Sequence, residues 1–449
     1  MCVLVLFVCR AVIASTVVPP WQNPDEPTHV FLAQLLALPA AVVNSSPIVR
    51  LSNGDLLTRV EQDIQGQILE SMAAHRWWEA YGAQPPAAIP RAFVLLGQFS
   101  AGTYTQPIYY GVAAGVLRAT APDNIDGTYW RLRALSILLA VIALWCAWAG
   151  TRLFFGDVVA LGATAIASLH PQVLITTMAV NPDVLTAVWG AFIWWQVAEL
   201  VNGRRRGLAF LLLIVGAVAA VLTKRSAVPA AAMALLVAVW VFLPRTWRFS
   251  PRQRVLAVLA ALAGVAAVAA ATLVFDGLFT AVASFWSSVA VQRRPLTSGL
   301  LPVAAEYVGI GIDYAWLIAG WQRFSPPDWW LWIVRGLTAV GLAGAVVAVI
   351  RARGRTQDGL AVAWVFVLIQ VGAILIPGFW NLAAPQGRYL APVLAPLAVL
   401  LWMGVMALTP VRWHAATGSL LVGAIALIDA TALTATLIPA YTPSMLYVP

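Results

Sequence analysis

Residues 134–151 read ALSILLAVIALWCAWAGT, eighteen consecutive positions without a charged side chain. A helix needs about 20 largely apolar residues to cross a bilayer, and this run nearly supplies that length. Comparable runs recur at 2–19, 158–180, 183–200, 207–223, 226–243, 255–275, 330–350, 359–380, 389–411 and 414–438. The sequence therefore predicts an all-α polytopic membrane protein with about 11 transmembrane helices.

Composition excludes a water-soluble globular protein. Of 449 residues, 61% are hydrophobic and only 10% are charged, whereas a soluble domain carries about 25% charged residues. The net charge of +9 would suggest a nucleic-acid partner in a soluble chain. Here the arginines lie between apolar runs, so we expect no nucleic acid. The three cysteines lie within apolar runs and indicate neither a disulfide framework nor a zinc site.

The arginines indicate the orientation in the membrane. With a cytoplasmic N-terminus, five short inner loops hold Arg152, Arg204, Arg205, Arg206, Arg245, Arg248, Arg252, Arg254, Arg351, Arg353, Arg355 and Arg412. This placement agrees with the positive-inside rule. Most carboxylates fall on the opposite side; the exceptions are Asp157, Glu199 and Asp358. We therefore predict a multi-pass protein of the plasma (inner) membrane whose active site is extracytoplasmic.

The domain prediction is one membrane domain over residues 1–449 with two large outer segments. Segment 20–130 contains amphipathic stretches near 27–40 and 61–80. Segment 276–330 is rich in interface-type aromatics: Trp286, Tyr307, Tyr314, Trp316, Trp321, Trp329 and Trp330. The first apolar run lacks a basic flank, so we interpret it as an anchor; a cleaved signal peptide is the alternative.

The first candidate motif is Asn-Pro-Asp-Glu-Pro-Thr-His at 23–29, directly after the first apolar run. Adjacent carboxylates Asp25 and Glu26 could act as a general base and as a second acid or metal ligand. His29 closes the motif and is assigned to the substrate pocket. The structural alternative is a helix start, in which Asp25 caps and Pro27 fits the first turn.

Two further motifs add candidates for the substrate pocket. Tyr109 and Tyr110 lie in Gln-Pro-Ile-Tyr-Tyr, where they could stack on a sugar, line a lipid groove or serve only as interface aromatics. Asn181 and Asp183 lie in Asn-Pro-Asp, which is also a good helix start. Asp183 should face Asp25 at the outer mouth. His170 is expected to be a hydrogen-bonded residue of the bundle.

Cations at two outer positions suggest a phosphate site. Lys224 is the chain's one lysine and stands beside Arg225 between two apolar runs. Charge at membrane depth is costly and suggests function, although side chains near a helix end can also snorkel to the interface. In Gln386-Gly387-Arg388-Tyr389, the guanidinium can hold two phosphate oxygens and the glycine permits close backbone approach. Asp429, within the last run, receives no role.

These motifs, in this order, resemble those of a bacterial membrane family of unknown function in the GT-C superfamily of glycosyltransferases. The resemblance implies a large first outer loop with horizontal helices above the bundle. It also implies a polyprenyl-phosphate sugar donor and inversion at the anomeric carbon. The acidic residue that this superfamily places at its catalytic centre corresponds to Asp25, with Glu26 beside it. The tripeptide motifs of oligosaccharyltransferases are absent, so glycosylation of peptide sequons is not expected.

We therefore predict a glycosyltransferase that moves a sugar from a polyprenyl-phosphate donor to a cell-envelope glycan or glycolipid. Asp25 would take the acceptor proton, and the donor phosphate would be bound by Lys224, Arg225 and Arg388. Gln386 and Tyr389 complete the predicted substrate pocket. No cofactor is certain, and a divalent metal (Mg²⁺ or Mn²⁺) stays open. The alternatives are a lipid or glycolipid flippase, which should show repeated halves and charges near the midplane, and a non-catalytic partner in envelope assembly.

Overall fold

The computed structural model describes residues 2–23, 25–50, 56–77, 107–242, 300–319, 324–381 and 386–445. These ranges are almost entirely helical. The α-helices are α1 (Cys2–Val17), α2 (Glu26–Ala37), α3 (Ala40–Asn44), α4 (Arg59–Ala74), α5 (Pro107–Thr120), α6 (Ile125–Phe155), α7 (Asp157–Leu169), α8 (Pro171–Met178), α9 (Asp183–Val201), α10 (Arg206–Thr223), α11 (Val228–Phe242), α12 (Leu300–Trp316), α13 (Asp328–Arg351), α14 (Gly354–Asn381), α15 (Leu394–Ala407), α16 (His414–Ala432) and α17 (Ile438–Met445).

Short elements connect several of these helices. Two strands, β1 (Ile48–Arg50) and β2 (Leu56–Thr58), pair antiparallel with Val49 opposite Leu57. The remaining elements are 3₁₀ helices at Arg225–Ala227, Gly387–Val393 and Val411–Trp413, and a π-helical turn at Leu433–Leu437. The π turn joins α16 to α17, so the chain continues as one helical rod from Val411 to Tyr441.

The structure confirms an all-α polytopic membrane protein. Within the described residues, seven helical segments are long and apolar enough to cross a bilayer: Ile125–Phe155, Asp183–Val201, Arg206–Thr223, Asp328–Arg351, Gly354–Ile374, Gly387–Ala407 and Val411–Tyr441. An eighth span is possible if α7 and α8, which meet at 61°, count as one broken helix. Helices α1 and α11 are apolar but shorter. The predicted run at 255–275 lies outside the described residues.

Arginines of the predicted inner loops bond to groups at the same helix ends. The Arg351 guanidinium at the end of α13 donates to the Ala407 carbonyl at the end of α15, at 2.8 Å. Two of the three exceptional carboxylates are paired with such arginines, Asp157 with Arg152 at 2.6 Å and Glu199 with Arg204 at 3.8 Å. These pairs account for acidic residues at ends that are otherwise basic.

Small residues allow close helix packing. Helices α13 and α15 touch through Gly344 and Gly404, and a Cβ added at Gly404 would overlap the Gly341 carbonyl oxygen. Lipid is as apolar as a leucine side chain, so helices in a bilayer associate largely through such close van der Waals contact. The backbone approach therefore requires glycine at position 404.

Two of the predicted interface aromatics are buried in the core instead. Trp316 is only 2% exposed and donates to the Thr338 hydroxyl at 2.7 Å. Trp330 is 1% exposed and donates to the Ile428 carbonyl at 3.0 Å. The interface prediction was wrong for both, because each indole N–H finds a partner on a neighbouring helix. Neighbouring Trp329 is 52% exposed, in keeping with the prediction.

A buried ion pair ties the first helix to the last rod. The Arg10 guanidinium of α1 bonds both carboxylate oxygens of Asp429 in α16, at 2.5 and 2.6 Å. It also donates to the carbonyls of Ser168 and His170, where α7 breaks before α8. The guanidinium thereby satisfies the Ser168 carbonyl at the end of α7, whereas the His170 carbonyl also accepts the Val173 and Leu174 backbone N–H groups of α8. Asp429 thus has a structural role that the sequence did not assign.

We expect Arg10→Met to destabilise the fold strongly, because it leaves the Asp429 carboxylate buried and unpaired. Loss of one partner of a buried pair costs about 3–5 kcal/mol. The double variant Arg10→Met/Asp429→Leu should recover part of that loss but not all of it, since the Ser168 carbonyl still lacks the guanidinium. Thermal unfolding in detergent measures both, and equal Tm values for wild type and Arg10→Met would contradict the assignment.

Candidate functional site

Four charged side chains from distant segments meet at one end of the bundle. We call Asp25, Asp183, Lys224 and Arg388 the charge quartet. Arg388 donates to Asp25 at 2.8 Å and its Nε lies 3.7 Å from Asp183, while Lys224 donates to Asp183 at 2.7 Å. The quartet is formally neutral, as buried charges require. All four residues were singled out in the sequence, and the structure brings them into contact.

Asp25 is the most accessible carboxylate of the quartet. It occupies the N-cap position of α2 with a positive φ of 69°, yet its side chain makes no capping bond. The carboxylate turns to Arg388 instead, and its side chain is 27% exposed whereas that of Asp183 is fully buried. Burial raises the pKa of Asp25, but Arg388, together with His29 and Lys224, outweighs that effect and the pKa lies below its usual value. Asp25 is therefore ionised and bound by the guanidinium.

Asp183 and Lys224 form the inner half of the quartet. Asn181 accepts the backbone N–H of Asp183 at 2.8 Å, an Asx turn that satisfies one of the orphan amides at the start of α9. Lys224 follows the last residue of α10 in an extended conformation. Its ammonium lies 5.3 Å from the ring centroid of Tyr389, within the range of a cation–π contact. Helix α9 and the end of α10 thus position the pair.

Arg388 is held by its own short segment. Its Nε donates to Gln386 at 2.6 Å, and its guanidinium lies 5.6 Å from the Tyr389 ring centroid. Gly387 precedes it because the backbone here passes against Tyr314, whose carbonyl oxygen occupies the place of a Cβ. The sequence predicted that this glycine permits close backbone approach. The structure shows that the backbone at Gly387 approaches α12.

Glu26 lies behind the quartet and is fully buried. One carboxylate oxygen accepts from the Tyr129 hydroxyl and the backbone N–H of Val180, both at 3.0 Å. The other accepts from the backbone N–H of Asn23 at 3.0 Å. Burial raises the pKa of Glu26, an effect that the nearby Arg133 opposes. The carboxylate links the loops that carry the two quartet carboxylates, so its geometry suits positioning rather than contact with a substrate.

His29 packs with the two tyrosines of the Gln-Pro-Ile-Tyr-Tyr motif. Its Nδ1 lies 2.7 Å from the Tyr110 hydroxyl, and Tyr109 packs edge-on against Tyr110 with centroids 5.4 Å apart. Tyr109 and Tyr110 are 0% and 2% exposed. The structure therefore places both rings in the core beside His29; neither is an interface aromatic, and neither lines the two cavities described next.

Two adjoining cavities meet at Arg388. The first, of about 560 Å³, is lined mainly by apolar side chains of α6, α9 and the 387–397 segment, and we call it the apolar cavity. The second, of about 400 Å³, is lined by four carboxamides among others, and we call it the amide cleft. Both are lined by Gln172, Thr176, Gly387 and Arg388. His170 lines the apolar cavity and stacks on Trp316, with centroids 4.5 Å apart.

The remaining predictions concern Arg225 and a metal. Arg225 begins a 3₁₀ helix, and its side chain lies outside what the structure describes. No group of three or more His, Cys, Asp or Glu side chains comes together in the described ranges. Asp25 and Asp183 are both bound by cations, so these two carboxylates form a poor donor set for Mg²⁺ or Mn²⁺, which favour unpaired oxygen ligands.

Sequence reasoning missed Arg133 and Gln172. Arg133 is 1% exposed and donates to the carbonyls of Ser15 and Val18, at 2.9 and 2.8 Å, just before the Asp25 motif. Arg133 directly precedes the apolar run 134–151, and a charge at that position is the signal that could have identified it. Gln172 carries no comparable signal, because an uncharged amide in a membrane run is ordinary.

Comparison with known proteins gives one partial match. The family model for dolichyl-phosphate-mannose-protein mannosyltransferase matches residues 124–300. This part of the chain is similar to a mannosyltransferase family. The match covers under half of the sequence; it includes Asp183 and Lys224 but neither Asp25 nor Arg388. It supports the GT-C resemblance of the motifs over that segment. No curated protein and no solved structure gives a significant match.

Protonation of His29 should destabilise the fold as pH falls. Burial lowers the pKa of His29 from 6.5 to about 4, so below pH 6.5 the unfolded chain binds a proton that the folded chain does not. This effect should remove roughly 2 kcal/mol of stability between pH 8 and pH 5. His29→Asn, which cannot titrate there, should lose less stability over the same interval.

The comparison with His29→Asn is needed because Glu26 acts in the opposite direction. Its raised pKa means that the folded state takes up that proton first, so acid stabilises the fold through Glu26. The Tm of both proteins in detergent across this pH range isolates the histidine contribution. Parallel Tm curves would show that His29 does not resist protonation in the fold.

Proposed function

We propose that this protein is a membrane glycosyltransferase whose donor is a sugar linked to a polyprenyl phosphate. The observation that carries the proposal is the position of Arg388, which lines both cavities and belongs to the charge quartet. An apolar cavity, a cation and a polar cleft in this order match a lipid, a phosphate and a sugar. The apolar cavity is lined mainly by apolar side chains and would take the isoprene units next to the phosphate.

The donor phosphate has to displace Asp25 from Arg388. In the described arrangement both cations are bound by carboxylates, and Asp25 is the one that is partly exposed. A phosphate can bind a guanidinium through two oxygens and compete with a single carboxylate bond. Binding of the donor would then release Asp25, whose pKa would rise because the charge that lowers it has been taken by the phosphate. The donor thereby produces the base that the reaction needs.

The transfer step uses that released carboxylate. The acceptor hydroxyl oxygen attacks the anomeric carbon while its proton passes to Asp25. The bond from that carbon to the phosphate oxygen breaks, and its electron pair leaves with the polyprenyl phosphate. Arg388 and Lys224 stabilise the charge on the leaving phosphate, so no acid is required to protonate it. Attack opposite the leaving group inverts the anomeric carbon. Glu26 would hold the two loops in place without touching the substrate.

Asp25→Asn should separate binding from catalysis. Loss of a general base lowers turnover about a hundred- to ten-thousandfold, while removal of the competing carboxylate should strengthen binding of farnesyl phosphate several-fold. Purified protein in lipid is assayed for transfer from a labelled farnesyl-phosphate sugar panel to envelope lipid, and for farnesyl phosphate binding by calorimetry. Weaker binding in Asp25→Asn, in step with turnover, would contradict the exchange at Arg388.

Lys224→Met should weaken binding of farnesyl phosphate about ten- to a hundredfold, because one charge-assisted contact is lost. It also leaves the buried Asp183 carboxylate with one charged partner among the described residues, Arg388 at 3.7 Å. The experiment therefore needs a control for loss of folding. Lys224→Met/Asp183→Asn removes the unpaired carboxylate and should restore Tm. We expect binding to remain weak in this double variant; recovery of wild-type affinity would remove Lys224 from the phosphate site.

The flippase and the non-catalytic partner predict different results in the same preparation. A flippase would move labelled lipid across proteoliposome membranes without transferring the sugar. A non-catalytic partner would keep its binding and show no turnover in wild type. The charge quartet favours the enzyme, because an exposed carboxylate beside two cations supplies both a base and a phosphate site.

A further inference from the structure

The amide cleft has a lining that the phosphate does not explain. Its polar side chains are mostly carboxamides: Asn23, Gln172, Asn181 and Gln386. Among the lining residues that the structure describes, Arg388 carries the one charged side chain. Amides offer both hydrogen-bond donors and acceptors without charge, and this suits ligands that are rich in hydroxyl groups. The clustering of four of them at one small cleft calls for a chemical explanation.

The orientation of three amides follows from their partners. The Gln172 oxygen accepts the Ile318 amide at 3.0 Å, and the Asn181 oxygen accepts the Asp183 amide. The Gln386 oxygen accepts Arg388 Nε. Because each partner is an N–H donor, each amide must present its oxygen to it, and the NH₂ group is the end left over.

The NH₂ ends are largely unused by the protein. Those of Gln172 and Gln386 make no hydrogen bond within the described part of the chain, and that of Asn181 reaches the Thr176 carbonyl only at 3.5 Å. Asn23 has the opposite arrangement. Its NH₂ group donates to Glu26 at 3.4 Å, and its side-chain oxygen is the end that accepts no hydrogen bond within the described part of the chain. Three donors and one acceptor thus line the cleft, each fixed at its other end.

We propose that the amide cleft binds the sugar of the donor and selects an uncharged one. The assignment rests on the proposed function, because a sugar bonded to a phosphate at Arg388 must enter a cavity that Arg388 also lines. The apolar cavity suits the isoprenoid, which leaves the amide cleft for the sugar. The NH₂ groups donate to ring and hydroxyl oxygens, and the Asn23 oxygen accepts from a hydroxyl.

Charge selectivity follows from the same lining. A uronic acid would bring a carboxylate to a cleft where Arg388, the cation among the described lining residues, is taken by the phosphate. An amino sugar would bring an ammonium to a cleft in which none of the described lining residues carries a carboxylate. Either would leave a buried charge without a partner, which is strongly unfavourable. Neutral hexoses meet no such penalty.

The test compares ligands that differ only in the sugar. Calorimetry on the full-length protein measures affinities for farnesyl phosphate and for farnesyl phosphate linked to mannose, glucuronic acid or glucosamine. We expect the mannose compound to bind at least tenfold more tightly than farnesyl phosphate, and the two charged compounds to gain nothing. Equal gains for charged and neutral sugars would overturn the selectivity.

Gln172→Met should reduce the gain from mannose, measured against farnesyl phosphate in the same variant, about five- to tenfold, the usual effect of one or two lost hydrogen bonds. Gln34→Met is the matched control, since Gln34 lines neither cavity. If Gln172→Met does not fold, Gln172→Glu provides the test instead, because the glutamate carboxylate still accepts the backbone N–H of Ile318. Within that variant, the glucosamine compound should bind more tightly than the mannose compound.

The outcomes separate the cleft from the proposed function. If farnesyl phosphate binds and sugar is transferred, but the gain from mannose is the same in wild type, Gln172→Met and Gln172→Glu, the cleft assignment is wrong and the function stands. If wild type neither binds farnesyl phosphate nor transfers sugar, both are overturned.

Discussion

The structure depends on the neutralisation of charges that the membrane fold buries. Asp183 is fully buried at the start of α9, and its cost is offset only because Lys224 and Arg388 reach it from two other helical segments. Those contacts fix where α10 ends and where the 387–393 segment begins relative to α9. Asp25 completes the balance from the loop after α1. One neutral quartet therefore sets the mutual position of four chain segments and also forms the candidate site.

The same constraint recurs deeper in the bundle. Arg10 and Asp429 neutralise each other at the break between α7 and α8. Arg133 donates to the carbonyls that precede the Asp25 loop. Glu26 accepts the backbone N–H of Val180, which lies two positions after Met178, the last residue of α8. Arg10, Arg133 and Glu26 each contact backbone at a place where a helix is broken or ends. Charged side chains thus supply the hydrogen bonds that irregular backbone needs at membrane depth.

The sequence predicted the spans well and the site residues individually, but not their pairing. Long apolar runs and arginine placement report on single helices, so ten predicted runs coincide with described helices. Asp25 and Arg388 were both singled out, yet 363 positions separate them, and no pattern in one sequence shows that they touch. Tyr109, Tyr110, Trp316 and Trp330 were misplaced or left open for the same reason. The sequence around an aromatic residue in an apolar run is the same whether its polar atom hydrogen-bonds to water at the interface or to a partner on another helix.

The arrangement of Asp25 bears on the chemistry in a way that residue identity does not. A carboxylate bound by a guanidinium is a weak base, so a site with only these two groups would bind an anion and do little else. The second carboxylate changes this, because Asp183, which Lys224 holds in place, and the Gln386 oxygen still contact Arg388 when Asp25 leaves it. In the proposed reaction, an incoming phosphate then takes the place of Asp25 without disassembling the quartet. The proposed coupling of donor binding to the release of a base depends on having two carboxylates of unequal exposure on one guanidinium.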